Sequence, residues 1–254
     1  MKHIISKLII LISAVTITFS SFASDVCAPH SNLGLPVADQ ILCRNAFVVG
    51  YDYKHKQSSY VAYFLTRNQV NKYNKRTNDF REDGDIPIQY RSTLADYSHN
   101  SIKADRGHLF PSATAYSFTT TSESFLLSNI SPQLAGLNRR GMARAEKKVR
   151  ECVSRVGRAM VISGTIFYKN RFVKKIGNGV GVPHAFYKII FTSNYGKPQA
   201  IGILMPHKPF EHLNSSNFVP VDEIERQTGL DFFSELEEST QAYFEGKNSN
   251  FCRF

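Results

Sequence analysis

Six short runs rich in β-branched and aromatic residues constrain the architecture most: Ala46 to Tyr51, Tyr60 to Leu65, Phe125 to Ile130, Ala159 to Phe167, Phe186 to Thr192 and Ala200 to Met205. Each has the length and composition of a strand. Between the third and fourth, Leu137 to Arg158 contains no proline, and Met142, Ala145, Val149, Cys152 and Val156 recur at helical spacing, so a helix is expected there. Val221 to Gly229 and Asp231 to Phe244 predict two more helices, with Gly229 stopping the first. Strands with helices set among them, without regular βα alternation, indicate an α+β fold: a central, mostly antiparallel sheet flanked by helices, not a doubly wound one.

Composition supports one folded unit. A disordered polymer would have far less than 42% hydrophobic residues, and 15 Gly and 10 Pro in 254 residues exclude collagen-like and low-complexity chains. A chain of this size buries roughly 70 to 75% of its unfolded surface, enough for one core without metals or dense disulfides. No repeat or long linker interrupts it, so residues 24–254 are expected to form a single domain.

Residues 1–23 read as a secretory signal peptide. Lys2 and Lys7 give a positive start, an apolar stretch runs from Leu8 to Phe19, and Ser21-Phe22-Ala23 offers small residues for cleavage after Ala23. A membrane anchor fits less well, because the apolar stretch is about a dozen residues, broken by Ser13, Thr16 and Thr18, where a span needs roughly 20. The mature protein is therefore expected to be secreted or periplasmic, without stable membrane association. Export would place Cys27, Cys43, Cys152 and Cys252 where disulfides persist, and no CxxC pair suggests zinc. Three pairings are open; Cys27 with Cys43 and Cys152 with Cys252 are favoured.

Charge is unevenly spread. The chain has 31 Lys and Arg against 21 Asp and Glu, and without Lys2 and Lys7 it keeps a net +8. Residues 137–158 hold eight basic residues and two acidic ones, whereas 221–254 hold three basic and eight acidic. A field concentrated on one helix favours a polyanionic partner, although a basic helix face is often merely solvated.

The stretch Asp105-Arg106-Gly107-His108 sets a titratable imidazole beside a permanent cation. Alone it also fits a structural histidine next to a surface Asp105–Arg106 ion pair. Downstream, Ser128-Asn129-Ile130-Ser131-Pro132-Gln133 leads to Asn138, and Asn138, Met142, Glu146 and Arg150 follow one slowly drifting helical stripe. Upstream, Lys75-Arg76-Thr77-Asn78-Asp79-Phe80 adds another arginine.

These residues, with Val182-Pro183-His184-Ala185-Phe186-Tyr187-Lys188 and the segment Val221 to Phe233, resemble the DNA/RNA non-specific endonucleases, the secreted group of ββα-metal (His-Me finger) nucleases. The likeness spans roughly residues 44–240 and implies a ββα-metal active-site motif within the sheet fold. It implies Mg²⁺-dependent hydrolysis of DNA and RNA, with Mn²⁺ able to substitute, little sequence preference, and 5′-phosphate ends. His108 would be the general base and Asn138 the sole protein ligand of one ion. Glu146 would hold a water of its hydration shell, and Arg76 and Arg150 would stabilise charge on the phosphoryl group. Asp105 would orient the motif, while Arg106 could contact phosphate or pair structurally. Met142 stands where the family often carries tryptophan, and Phe110 with Ser112 to Thr114 also departs from the usual pattern.

Competing signals are weaker. Gly177, Gly179 and Gly181 lack the Lys-Ser/Thr of a phosphate loop and fit a turn between strands. His207 and His212 lack a ligand cluster and read as surface histidines, and Asn214-Ser215-Ser216 is a sequon only in a glycosylating host. Two other readings remain: a non-catalytic nucleic-acid-binding protein, and a phosphodiesterase acting on small nucleotides.

Overall fold

The computed structural model describes residues 27–72, 75–98 and 100–252; the signal peptide expected at residues 1–23 lies outside them. In chain order the strands are β1 (Gln40–Cys43), β2 (Val48–Asp52), β3 (Gln57–Thr66), β4 (Ala104–His108), β5 (Ile130–Leu134), β6 (Arg158–Ile166), β7 (Lys175–Ile176), β8 (Val180–Gly181), β9 (Ala185–Thr192), β10 (Gln199–Pro206) and β11 (Phe218–Val219). The helices are α1 (Arg67–Val70), α2 (Leu94–Tyr97), α3 (Phe118–Ser124), α4 (Ala143–Val156), α5 (Val221–Thr228) and α6 (Glu238–Glu245).

Among the described residues, seven strands form one antiparallel sheet in the order β1-β2-β3-β6-β9-β10-β11. Both of its faces are covered. On one, Val49, Val61, Tyr63, Val161, Phe186, Ile190 and Ile203 pack with Ala145, Val149, Cys152, Val153 and Val156 of α4. On the other, Tyr60, Ala62, Ile162, Tyr187 and Ile189 meet Val221 and Ile224 of α5, Phe232, Phe233, and Phe244 of α6. Double burial explains why the central strands read as nearly continuous apolar runs and not as alternating ones. No helix among the described residues is long and apolar enough to cross a membrane.

A separate two-stranded ribbon carries Asp105 to His108. Strands β4 and β5 pair antiparallel, with His108 opposite Ile130 and Asp105 opposite Gln133, and the chain then enters a wide π-helical turn, Leu137–Met142, that continues into α4. This is the ββα arrangement expected from the resemblance. Disulfides join Cys27 to Cys43 and Cys152 to Cys252, as favoured, the second tying α4 to the end of the described chain.

Three expectations are corrected. The run Phe125 to Ile130 is not a strand: a 3-10 turn occupies Leu127–Asn129, and pairing starts at Ile130. Its apolar residues instead fill a satellite core, Leu127 and Ile130 with Tyr97, Ile176 and Val180. The helix expected over Asp231 to Phe244 begins only at Glu238, because Phe232 and Phe233 anchor an irregular turn in which Phe233 has φ 61°. His207 is partly buried rather than a surface residue, accepting from Leu134 N at 3.0 Å and donating to Pro183 O at 2.7 Å, so it fastens β5 to the end of β10. His212 is exposed, and the glycines at 177 and 179 form the turn joining β7 to β8, both as expected.

Candidate active site

The ribbon is short and polar, so its position depends on hydrogen bonds. Asn129 accepts from Phe110 N at 2.7 Å and donates to Phe110 O and Ser124 O at 2.9 and 2.8 Å, locking the backbone just after His108. Ser128 donates to buried Asp83, which is held by Arg44 at 2.6 Å, and Ser131 donates to Gln57 Oε1 at 2.6 Å, pinning β5 to β3. Ser128, Asn129 and Ser131 thus tie the segment to the loops around it and to β3 through buried hydrogen bonds. Gly107 is required by close approach: a Cβ there would lie 2.1 Å from Gln133 Cδ.

His108 is 9% exposed. Its ring stands edge-on to Phe125 with centroids 4.8 Å apart and tilted against Phe80 at 5.4 Å. Those same phenyl rings carry guanidinium groups, Arg76 over Phe125 at 5.0 Å and Arg106 over Phe80 at 4.2 Å. Burial, reinforced by Arg76 and then Arg106, pushes the imidazole down to about 3. The ring is therefore neutral at physiological pH, and its Nε2 is buried without a hydrogen-bond partner.

Asp105 is the hub opposite. Its carboxylate accepts from Asn138 Nδ2 at 3.0 Å and from Arg139 Nε and Nη2 at 2.8 and 2.7 Å. Burial would raise its pKa, but the Arg139 and Asn138 donors outweigh it and hold the carboxyl below the ordinary range. The surface pairing considered for Asp105 and Arg106 is absent; Arg139 takes that place, and Arg106 has no ion-pair partner among the described residues. With its NH₂ group committed, Asn138 leaves Oδ1 for a ligand. The π turn assists this placement: in an α-helix, eight residues overshoot two turns by about 80°, and the wider turn takes up part of that offset between Asn138 and Glu146. Gly141 lets Phe210 dock on the turn, since a Cβ would lie 2.6 Å from its ring.

Glu146 and Arg150 project from α4 into the same cleft. Burial raises the Glu146 pKa, opposed first by Lys188, then by Arg150 and Arg76. Arg150 Nη1 is buried without a partner, and Arg76 is exposed with a 3.3 Å bond to Ser112 Oγ. Arg76, Arg106, His108, Asn138, Glu146 and Arg150 all line one cleft of about 680 Å³. Sequence reasoning missed Arg139, whose signal was its place beside Asn138, and Asn129, whose role appears only in three dimensions. The departures at Met142 and Phe110 are core residues: Met142 is buried under the helix, and Phe110 stacks on Phe47 at 4.7 Å.

The outer face of the basic helix is partly neutralised. Arg140 and Arg144 pair with Glu211, and Lys147 and Lys148 reach Glu151. In the cleft, Arg76, Arg106 and Arg150 have no ion pair among the described residues.

Comparison with known proteins agrees with this geometry. The chain matches the DNA/RNA non-specific endonuclease family over residues 28–239. It is 30% identical over 221 residues to the mitochondrial Nuclease 1 of Schizosaccharomyces pombe, covering 79% of this chain and 68% of that protein. It is 32% identical over 213 residues to the mitochondrial endonuclease G of Homo sapiens, covering 78% and 71%. A solved chain from the EndoG/EndoGI complex superposes with a TM-score of 0.76 at 26% identity, covering 83% of this chain and 92% of that one. The relatives also correct one expectation. Several of the matching nucleases, those of Schizosaccharomyces pombe and Homo sapiens among them, are named as mitochondrial, so the secreted or periplasmic location expected from the leader does not stand. The match across most of the chain, together with the ββα ribbon and its shared cleft, excludes a non-catalytic binder and makes the chain a nuclease of the DNA/RNA non-specific endonuclease family.

Proposed function

We propose that this nuclease hydrolyses phosphodiester bonds in DNA and RNA with Mg²⁺ as its ion, Mn²⁺ substituting, and leaves 5′-phosphate ends, with residues 24–254 acting as one catalytic unit. The observation that carries this reading is one cleft lined by a neutral His108, by Arg76, Arg106 and Arg150, and by Asn138 and Glu146.

His108 takes a proton from the water that attacks phosphorus, and the bond from phosphorus to the 3′ oxygen breaks. The anionic phosphate, drawn between Arg76 and Arg106, offsets the two cations that depress the imidazole, raising its basicity as substrate binds. Arg76 and Arg150 stabilise charge growing on the phosphoryl oxygens. Arg106, held flat on Phe80 and unpaired, contributes a phosphate contact. Glu146 accepts a hydrogen bond from water in the cleft. Asp105 does not react; it aims Asn138.

The residues suit a hard cation, because Asn138 Oδ1 and the Glu146 carboxylate offer oxygen donors and no thiol or imidazole cluster competes in the cleft. When bound there, Mg²⁺ supplies a Lewis acid for the phosphoryl and departing oxygens. The cations of the cleft address the phosphate backbone, which predicts little sequence preference and binding that weakens with salt.

The test incubates the purified protein with supercoiled plasmid and with RNA, in Mg²⁺ or in EDTA, and maps the new ends by their acceptance of a ligase. Cleavage of both polymers only with Mg²⁺, leaving ligatable 5′ phosphates, is expected. Equal cleavage in EDTA, or 3′-phosphate ends, would overturn the assignment.

A further inference from the structure

Beside the cleft stands a loop whose chemistry the hydrolytic site does not use. The segment Tyr168 to Lys175, which leads from β6 into β7, contains Lys169, Arg171, Lys174 and Lys175, all exposed, and no acidic residue occurs anywhere between Glu151 and Glu211. None of the four cations has an ion pair among the described residues. In their midst Phe172 is 88% exposed. A lone apolar side chain on a surface needs no explanation. A phenyl ring set among unneutralised cations, on an anchored backbone, is a different case.

His184 supplies the anchor. Its Nδ1 accepts from Tyr168 N at 3.1 Å, so Nε2 carries the proton and donates to Phe172 O at 3.0 Å. The imidazole also stacks on Tyr168 with centroids 5.4 Å apart, and Arg171 lies over the same phenol ring at 5.0 Å. At the far end of the loop, Lys174 O accepts from Val182 N at 2.7 Å. Phe172 and Lys174, with Ile102, Leu134, Val182 and His184, line a hollow of about 300 Å³. This hollow adjoins the cleft: Leu134 on its wall is the register partner of Ala104, which lines the cleft beside Asp105. Paired residues of such a ribbon lie about 5 Å apart, so one step of the ribbon separates the two.

We propose that this hollow is a second nucleotide subsite, in which Phe172 stacks an unpaired base of the substrate strand and Lys174 neutralises its phosphate. This rests on the reading of the substrate as nucleic acid given above. A surface rich in cations and free of acids selects a polyanion, and an exposed ring among them adds a face for bases, the combination that holds single strands. A duplex keeps its bases stacked on one another and offers such a ring only sugar and phosphate, so the occupant is a single strand. Stacking tolerates every base, since each has a π face, in keeping with the little sequence preference expected of the cleft. The consequence is a preference for unpaired DNA and RNA that the arginines of the cleft alone would not create.

The chain contains no tryptophan, so Phe172→Trp places a single indole in the loop, at a position exposed enough to accept it. In EDTA, where the polymer stays intact, a single-stranded oligothymidylate should quench that indole, and a hairpin duplex with the same number of nucleotides should quench it far less. Phe172→Ala, followed by fluorescence anisotropy of the labelled oligonucleotides in EDTA, should bind the single strand about 5-fold or more weakly, with a smaller loss on the hairpin. Lys174→Ala should weaken both and lower the slope of log affinity against log salt on the single strand by roughly 0.7. Parent-like single-strand affinity in Phe172→Ala, or equal quenching of the indole by both probes, overturns the proposal. Plasmid cleavage by the parent in Mg²⁺, run alongside, tells two failures apart. A parent that cuts plasmid while Phe172→Ala keeps its single-strand affinity refutes the subsite alone, and a parent that neither cuts nor binds refutes the nuclease reading with it.

Discussion

Replacing Asp105 by alanine separates orientation from chemistry at this site. The substitution deletes one acceptor that holds three donors, the Asn138 amide at 3.0 Å and two nitrogens of Arg139 at 2.8 and 2.7 Å, without removing a group assigned to the reaction. Arg139 is exposed and hydrated once released, so the folded state should lose little. Asn138 is affected differently: with its NH₂ group unanchored, the amide can flip and present nitrogen where the ion needs oxygen. Loss of such an orienting partner typically costs about 10 to 100-fold in metal affinity or activity, which is about 1.4 to 2.7 kcal/mol on the barrier. The assay is the initial rate of plasmid nicking across a Mg²⁺ titration, run beside Arg139→Ala, which removes two of the three bonds but leaves the tie between Asp105 and Asn138. Asp105→Ala should need more Mg²⁺ and remain slower, with Arg139→Ala nearer the parent. A parent-like Mg²⁺ titration for Asp105→Ala, or an equal loss in both variants, would refute the orienting role.

Further outcomes concern pH and the covalent ties. His108, held down to about 3 by burial and by Arg76 and Arg106, should show no imidazole titration by NMR between pH 5 and 8 in the free protein. Because its folded pKa lies below the ordinary 6.5, stability should be intact above 6.5 and fall as the pH drops toward 3, as followed by urea melts. Glu245, 6% exposed and pushed up to about 8 by burial and by Glu225, Asp222 and Asp231, behaves oppositely. Its contribution should be full below 4.5 and lost as pH rises to about 8, and Glu245→Gln should flatten that decline in Tm. Breaking the Cys152–Cys252 bond, which closes a separation of 100 residues, should destabilise by nearly 5 kcal/mol, against about 3 kcal/mol for the 16-residue separation of Cys27–Cys43. Chemical denaturation of Cys252→Ser and Cys43→Ser checks the order.

The large sheet was legible because its strands are buried on both faces and therefore apolar along their length, from Ala159 to Phe167 and from Phe186 to Thr192 alike. Strand β4 was not, since Ala104 to His108 is polar and owes its pairing to Asn129, Ser131 and Gln57 rather than to an apolar face. Burial without periodicity misled in the other direction at Phe125 to Ile130, where the side chains pack around His108 and a small satellite core. Of the six cleft residues, Arg106 and His108 lie in a local motif and Asn138, Glu146 and Arg150 on one helical stripe, while Arg76 was singled out through the family resemblance. Arg139, which binds the hub carboxylate, has the same residue type as its solvated neighbours, and its place beside Asn138 was the one signal in the sequence. Lys188 was visible as a charge inside an apolar run, and its hydrogen bond to Ser163 of the neighbouring strand appears only in three dimensions.

The role of His108 as the base that activates water is tested most directly by comparing the parent and His108→Ala for both plasmid cleavage in Mg²⁺ and DNA affinity in its absence. Removing a general base costs about 10² to 10⁴-fold in rate, while Arg76, Arg106 and Arg150, the proposed phosphate contacts, remain in the cleft. The expected result is DNA affinity within a factor of a few of the parent with cleavage lowered by that amount. Cleavage at the parent rate, with the same affinity, would contradict it.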